Sequence, residues 1–133
     1  FERSLTLIAD SVSAAIDRFG LAVDRLGLLG FSQGAITSMS LLLEKPETFQ
    51  WVVALHGYLP ASHLDLDPDG IREKPVFIAA GGADQIIPEA RTAAAAERFE
   101  QLGAAVEYTV YNTAHGVSSG ELADLVTFVE ARQ

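Results

Sequence analysis

Short, wholly apolar runs that alternate with segments of helical periodicity constrain the fold of this chain more than any other feature. Two such runs, Trp51–Leu55 and Pro75–Gly81, would present apolar side chains on both faces of a strand. A third run, "RLGLLG" at Arg25–Gly30, has the same character. Strands of this kind are covered by helices on both sides, and strands that alternate with helices form parallel sheets. The sequence therefore predicts an α/β fold with a mostly parallel sheet and helices on both faces.

Four segments have the pattern of helices. In the first, apolar residues recur at helical spacing from Leu5 to Phe19, and Gly20 follows as a stop signal. The last helix is predicted after Ser118, which forms a possible capping box with Glu121 three residues later. The two helices between them are Gly34–Glu44 and a segment that starts at Pro88, a residue suited to the first helical position, and ends at about Leu102.

The remaining segments fit a single domain of 133 residues. Val106–Tyr111 alternates apolar and polar residues, which indicates a strand nearer the edge of the sheet. The polar stretch Pro60–Lys74 is predicted to be a surface loop. Because the chain enters a helical pattern directly at Phe1, without a signal-like start, we interpret it as a piece of a longer chain.

Charge and composition argue against several classes of function. A formal net charge of −9 argues against binding to nucleic acid or to an anionic membrane surface. No apolar run approaches the length of about 18 residues that would span a membrane. The absence of cysteine excludes disulfides, thiolate metal sites and a cysteine nucleophile. Asp65–Gly70 matches the opening of a calcium loop, but Val76 stands where that loop needs a glutamate, so we interpret it as a solvated acidic turn.

The peptide "LLGFSQGAI" at Leu28–Ile36 places Ser32 between two glycines at the end of a predicted strand. The pattern G-x-S-x-G at a strand-to-helix turn is typical of a nucleophile elbow, which exposes the serine hydroxyl above the sheet. Gly30 and Gly34 would keep side chains from colliding in the sharp turn. The amide of Gln33, at the start of the helix, is placed to donate to a developing oxyanion. The alternative is a plain glycine-rich turn.

A serine nucleophile needs a base and a carboxylate that orients the base. Asp84 and His115 each follow a predicted strand, and with Ser32 they have the chain order Ser, Asp, His of α/β-hydrolases. The alternatives are that Asp84 merely caps the next helix and that His115 is an exposed loop residue. The other two histidines are weaker candidates for the base. His56 could line the pocket but precedes the aspartate, and His63 lies in the acidic loop.

Three segments resemble the carboxylesterase/phospholipase family of α/β-hydrolases, whose relatives include acyl-protein thioesterases. They are "GFSQGA" at Gly30, "GGADQIIP" at Gly81 and "YNTAHGVSSGELADLVTFV" at Tyr111. The segment "ALHGYLP" at Ala54 is also similar, although a serine commonly stands where this chain has His56. Dienelactone hydrolases are similar as well, but they use a cysteine, which this chain lacks.

The resemblance implies a serine hydrolase that cleaves carboxylic esters or thioesters through an acyl-enzyme, with no metal or cofactor. It implies that Ser32 is the nucleophile, His115 the general base, Asp84 the acid that orients it, and Gln33 a backbone oxyanion donor. An apolar substrate pocket is predicted from the residues that flank this site, which are Tyr58, Leu59, Ile86, Ile87 and Val117.

The sequence departs from the family at the second oxyanion donor, which the family takes from a glycine-rich loop after an early strand. No such loop precedes Ser32, so we interpret the chain as the C-terminal part of the α/β-hydrolase fold, without its N-terminal strands. The expected partner is a small ester or thioester in the cytoplasm, and the exposed strand edge would favour a homo-oligomer or pairing with the N-terminal segment. The alternative function is a non-catalytic binding domain that lacks a complete oxyanion hole.

Overall fold

Four parallel strands form the sheet at the centre of the fold, in the order β1-β2-β3-β4. The computed structural model describes residues 1–20 and 26–132. The α/β prediction is confirmed for these residues. In chain order the elements are α1 (Glu2–Phe19), β1 (Gly27–Phe31), α2 (Gln33–Glu44), β2 (Trp51–Leu55), α3 (Ala61–Leu64), β3 (Pro75–Gly81), α4 (Glu89–Gln101), β4 (Ala105–Tyr111) and α5 (Ser119–Glu130).

Apolar side chains pack on both faces of this sheet. On one face, Leu5 of α1, Met39 of α2 and Phe99 of α4 pack in a core with the inner residues of β2 and β3. On the other face, Leu125 and Phe128 of α5 pack against the same two strands. Burying one such side chain stabilises the fold by about 1.5–3 kcal/mol. The two inner strands are apolar on both faces because helices cover both sides of them.

The outer strands differ from the inner ones. The strand β4 lies at one edge of the sheet, as its alternating sequence predicted. The strand β1 forms the other edge, and its apolar residues Leu29 and Phe31 are exposed by 54% and 40%. The predicted start of this strand, at Arg25, lies outside the described residues. Pairing of this edge with another chain or segment stays a prediction.

The segment predicted as a surface loop, 60–74, is more ordered and more buried than its polar sequence indicates. It contains the short helix α3 and buries His63, whose ring packs edge-on against Phe1 at 5.7 Å between centroids. Ile71 of the same segment lies in the core. The surface-loop prediction is therefore wrong at these positions, because local polarity does not reveal contacts with distant elements.

The helix ends correct two further details of the prediction. Pro88 precedes the first turn of α4, which begins at Glu89, and so takes the N-cap position. At α5 the Ser118 Oγ accepts a hydrogen bond from the Glu121 N–H at 3.1 Å, which is one half of the predicted capping box. The carboxylate of Glu121 contacts His56 instead of completing that box. None of the described helices is long and apolar enough to cross a membrane.

The turn from β1 to α2 is tight at one glycine only. Ser32 has φ of 56° and ψ of −115°, in a region that residues other than glycine rarely adopt. A Cβ on Gly30 would overlap the backbone carbonyl of Gly34, whereas a Cβ on Gly34 would meet no atom within 4 Å. The expectation that both glycines prevent collisions is therefore right for the first and wrong for the second.

This asymmetry gives a matched pair of variants. Gly30→Ala should lower the free energy of unfolding by about 1–3 kcal/mol, because the new methyl group must displace backbone. Gly34→Ala lies within α2 and should leave stability unchanged or raise it by up to about 1 kcal/mol, as alanine suits helices better. Urea unfolding followed by circular dichroism measures both. Equal destabilisation by the two substitutions would contradict the packing at the turn.

Candidate active site

The parallel register brings the carboxyl ends of all four strands to the same side of the sheet, which is called the carboxyl edge here. Phe31 pairs with Leu55, and Leu55 pairs with Ala79. The chain continues this pattern beyond the strands, because the Ser32 N–H donates to the Leu55 carbonyl at 2.8 Å and the His56 N–H donates to the Ala79 carbonyl at 2.9 Å. The side chains that follow β1 to β4 therefore meet above this edge, where α/β proteins place their functional groups.

Three of the predicted residues form a continuous chain of hydrogen bonds at this edge. The Ser32 Oγ lies 2.8 Å from the His115 Nε2. The His115 Nδ1 lies 2.7 Å from the Asp84 Oδ2. The ring of Phe31 packs against the His115 ring at 4.9 Å between centroids and so restricts its rotation. The structure thus brings together a hydroxyl, an imidazole and a carboxylate that lie 31 and 83 residues apart in the sequence.

Asp84 is a buried carboxylate held by several donors. Its Oδ1 accepts hydrogen bonds from the backbone N–H groups of Ile86 and Ile87, both at 2.9 Å. Burial by itself would raise the pKa of Asp84. Hydrogen bonds from His115, the two amides and His56 together outweigh burial, so the pKa falls from its ordinary value of 3.8 to about 2. The hydrogen bonds from the Ile86 and Ile87 amides thus hold the loop that follows Asp84 close to the carboxylate. The low pKa means that Asp84 is ionised at neutral pH. It does not cap α4, which begins at Glu89.

A second histidine, which its place in the chain order makes the weaker candidate for the base, contacts the same carboxylate. His56 is fully buried, and its Nδ1 lies 3.3 Å from the Asp84 Oδ2. Its Nε2 lies 3.0 Å from both carboxylate oxygens of Glu121, which is also fully buried. The position of His56 directly after β2, at the carboxyl end of a strand, is the sequence signal that could have indicated this role.

The residue that follows Ser32 lines a partly apolar cavity. A cavity of about 790 Å³ opens next to Gln33, the first residue of α2, and is lined by Phe1, Arg3, Gln33, Ile36, Tyr58, Pro60 and Ser62. The first residue of a helix has no helical carbonyl one turn earlier to accept from its N–H, so the Gln33 amide is available to an anionic oxygen.

The predicted pocket residues occupy different environments. Tyr58 lines the cavity, and the guanidinium of Arg91 stacks on its ring at 3.5 Å. Leu59 lies in the hydrophobic core, and Ile87 is buried next to Asp84. The side chains of Ile86 and Val117 are exposed. Contact of these five side chains with a substrate stays a prediction.

One group of the described residues has the donor atoms of a metal site. Ligand atoms of His56, Asp84 and His115 all lie within 4.8 Å of one another. In this arrangement both Nδ1 atoms face the same carboxylate oxygen. A nitrogen that donates its proton to a carboxylate has no lone pair left for a metal ion. The hydrogen bonds therefore account for this cluster without a metal.

Comparison with known proteins agrees with this architecture. The sequence profile of the Phospholipase/Carboxylesterase family matches residues 1–133. Acyl-protein thioesterase 1 of Saccharomyces cerevisiae is 31% identical over 137 residues, which cover 98% of this chain and 59% of the relative. Acyl-protein thioesterase 1 of Debaryomyces hansenii is 28% identical over 134 residues, which cover 98% of this chain and 58% of the relative. The chain thus spans little more than half the length of these relatives.

Solved structures show the same fold. A protein of unknown function from Agrobacterium tumefaciens superposes with a TM-score of 0.83 at 29% identity, over 99% of this chain and 63% of that one. The carboxylesterase of Bacillus cereus superposes with a TM-score of 0.88 at 22% identity, over 97% of this chain and 60% of that one. With the match of the family profile over all its residues, the chain belongs to the phospholipase/carboxylesterase family of α/β-hydrolases.

Proposed function

We propose that this chain carries the nucleophile, base and acid of a serine hydrolase that cleaves carboxylic esters or thioesters. The observation that carries the proposal is the unbroken series of hydrogen bonds from Ser32 through His115 to Asp84. A serine hydroxyl is a weak nucleophile near neutral pH, and this series supplies the base that takes its proton. The family, and the esterase and thioesterase names of relatives, support the same reaction class.

In the first half of the proposed reaction, Ser32 Oγ attacks the acyl carbon while His115 Nε2 takes the hydroxyl proton. Asp84 accepts from His115 Nδ1 and stabilises the imidazolium that forms. The carbonyl oxygen becomes an oxyanion, and the Gln33 N–H at the start of α2 donates a hydrogen bond to it. His115 then returns the proton to the leaving alcohol or thiol, which departs as the acyl-enzyme forms.

In the second half, a water molecule attacks the acyl-enzyme, and His115 takes a proton from this water. Collapse of the second tetrahedral intermediate releases the carboxylic acid and restores the Ser32 hydroxyl. The protein groups named here balance every proton, so this proposal requires no metal or cofactor. The cavity beside Gln33, with Phe1, Ile36 and Tyr58 in its wall, has room for the apolar acyl part of a substrate.

A non-catalytic binding domain is the competing interpretation. It would keep the sheet and the cleft, but it gives no reason for a strained serine whose hydroxyl faces a histidine. Ser32 keeps an unfavourable backbone conformation, and such strain is concentrated at functional sites. The geometry therefore supports the hydrolase better than the binding domain.

The nucleophile can be tested without knowledge of the substrate. A fluorophosphonate probe, which labels only activated serines, should label the chain, and Ser32→Ala should lower the labelling rate by at least about 10³-fold. Ser119→Ala is the matched control, because Ser119 is exposed at the start of α5. Mass spectrometry of the labelled peptide identifies the modified serine. Unchanged labelling in folded Ser32→Ala would contradict this assignment.

The pH dependence of the acylation rate should show whether a histidine is the base. The rate of acylation by an activated ester should rise with pH through roughly 6 to 7.5, because a histidine must be neutral to accept the serine proton. Asp84 remains ionised over this whole range, since its pKa is about 2 and the charged form persists above that value. A rate that is constant from pH 5 to 9, with acylation shown to limit turnover, would argue against a histidine base.

Removal of metal ions separates the serine mechanism from metal catalysis at His56, Asp84 and His115. Ester hydrolysis and fluorophosphonate labelling should both be unchanged after dialysis against EDTA, because every proton transfer above uses protein groups. The measurement compares initial rates before dialysis, after it, and after addition of zinc. A loss of activity that zinc restores would indicate that the cluster binds a metal.

A further inference from the structure

His56 lies beneath the proposed catalytic residues and connects two carboxylates. Its Nδ1 faces Asp84 Oδ2 at 3.3 Å, and its Nε2 faces both oxygens of Glu121 at 3.0 Å. All three side chains are at most 1% exposed. The reaction proposed above uses neither His56 nor Glu121. A buried imidazole between two buried carboxylates is costly unless every polar atom is paired, so the arrangement calls for an explanation.

The ionised Asp84 carboxylate requires a proton on the His56 Nδ1 that faces it. An ionised carboxylate can only accept hydrogen bonds, and Asp84 is ionised at neutral pH. The nitrogen that faces it must therefore carry a proton and donate. One further proton lies between Nε2 and Glu121, on one group or the other. In both cases the His56–Glu121 pair has no net charge, so it delivers an N–H to Asp84 without adding a charge to the site.

Packing holds the His56 ring in this orientation. The residue has φ of 57°, and its own N–H is tied to the Ala79 carbonyl at 2.9 Å. The rings of Phe31 and His115 lie 5.6 Å and 5.9 Å from the His56 ring, and the His115 ring is nearly perpendicular to it. Glu121 approaches from the first turn of α5, whose N-terminus is capped by Ser118. Contacts with β1, with the loop after β4 and with α5 thus hold the His56 Nδ1 in place.

We propose that His56, oriented by Glu121, is a positioning residue of this active site. It holds the Asp84 carboxylate toward His115 and shares its charge between two N–H donors. This inference rests on the proposed function for its catalytic meaning, but not for its geometry. Asp84 Oδ2 accepts from both imidazoles, so each weakens the hold of the carboxylate on the other. His56 therefore reduces the stabilisation that Asp84 gives to a positive charge on His115.

Among the residues that the structure describes, the charged and titratable groups near His56 come from three segments. Asp84 faces it from the loop after β3, His115 from the loop after β4, and Glu121 from α5. Beyond Glu121, the Tyr111 hydroxyl donates to Asp124 at 2.6 Å. Burial raises the pKa of Tyr111, and the hydrogen bond to Asp124 and the charges of Asp124 and Glu121 raise it further. That phenol therefore stays neutral in the range where histidines titrate. Removal of the His56 donor should shift the titration of His115 to higher pH.

Two substitutions separate the two nitrogens of His56. The amide of His56→Asn lies near the position of Nδ1 and can still donate to Asp84, although it cannot reach Glu121. The longer amide of His56→Gln lies near Nε2 and keeps the contact with Glu121, but it removes the donor to Asp84. A lone buried carboxyl group takes up a proton, so neither variant adds a net charge beside Asp84.

The primary readout is the titration midpoint of the His115 imidazole, followed by NMR in the full chain. His56→Gln should raise this midpoint by about 1 pH unit, and His56→Asn should stay within about 0.3. The acid limb of the fluorophosphonate labelling rate should shift in parallel, with a larger effect on kcat than on KM for an activated ester. The control is His63→Gln, because His63 is a buried histidine that faces Glu44 and not Asp84. Thermal unfolding by circular dichroism checks that each variant folds.

The outcomes distinguish the two proposals. A raised midpoint in His56→Gln alone supports the role of His56 in positioning Asp84. If no variant hydrolyses esters, the proposed function fails, and the inference stands for the contact of His56 with Asp84 but not for catalysis. Equal midpoints in wild type, His56→Gln and His56→Asn overturn the inference, even if the protein is an active esterase. Equal shifts in both variants also overturn it, because the donor at Nδ1 would then be irrelevant. If His56→Gln fails to fold, a midpoint shifted in folded His56→Asn is sufficient to overturn it.

Discussion

The buried carboxylate of Asp84 is the group on which the rest of the site depends. A charge removed from water is tolerated only where donors surround it, and here four converge on its two oxygens. The Ile86 and Ile87 amides bind one oxygen, and the His115 and His56 rings face the other. These contacts tie together the chain segments that follow β2, β3 and β4. The position of the proposed base is therefore a consequence of satisfying one buried charge.

The sheet makes this convergence possible. In a parallel sheet every strand ends at the same edge, so residues far apart in sequence meet without a long loop. Helices on both faces supply the burial that holds the strands in register. The close approach of β1 and α2 at Gly30 then orients Ser32 toward the imidazole. The orientation of the Ser32 hydroxyl thus depends on close packing of the backbone between β1 and α2.

Most of the fold could be predicted because its signals are local. The apolar runs Trp51–Leu55 and Pro75–Gly81 are strands with the predicted limits, since each is short and apolar throughout. The prediction of a surface loop over 60–74 is wrong at its buried positions, because their burial depends on contacts with Phe1 and the core, which polarity does not reveal. One half of the capping-box prediction is confirmed, because the Glu121 N–H donates to Ser118. The other half is wrong, because the Glu121 carboxylate faces His56 in the interior.

The sequence by itself determined the order of elements and the three residues that follow strands as candidate nucleophile, acid and base. Each of them is marked by its own neighbours, whether two glycines, a strand end or a loop before a helix. Only the tertiary structure decided which side chains share a proton. His56 and Glu121 are 65 residues apart and meet only because α5 packs over the end of β2. No local pattern encodes that contact, since it depends on the register of the sheet and on how α5 lies across it.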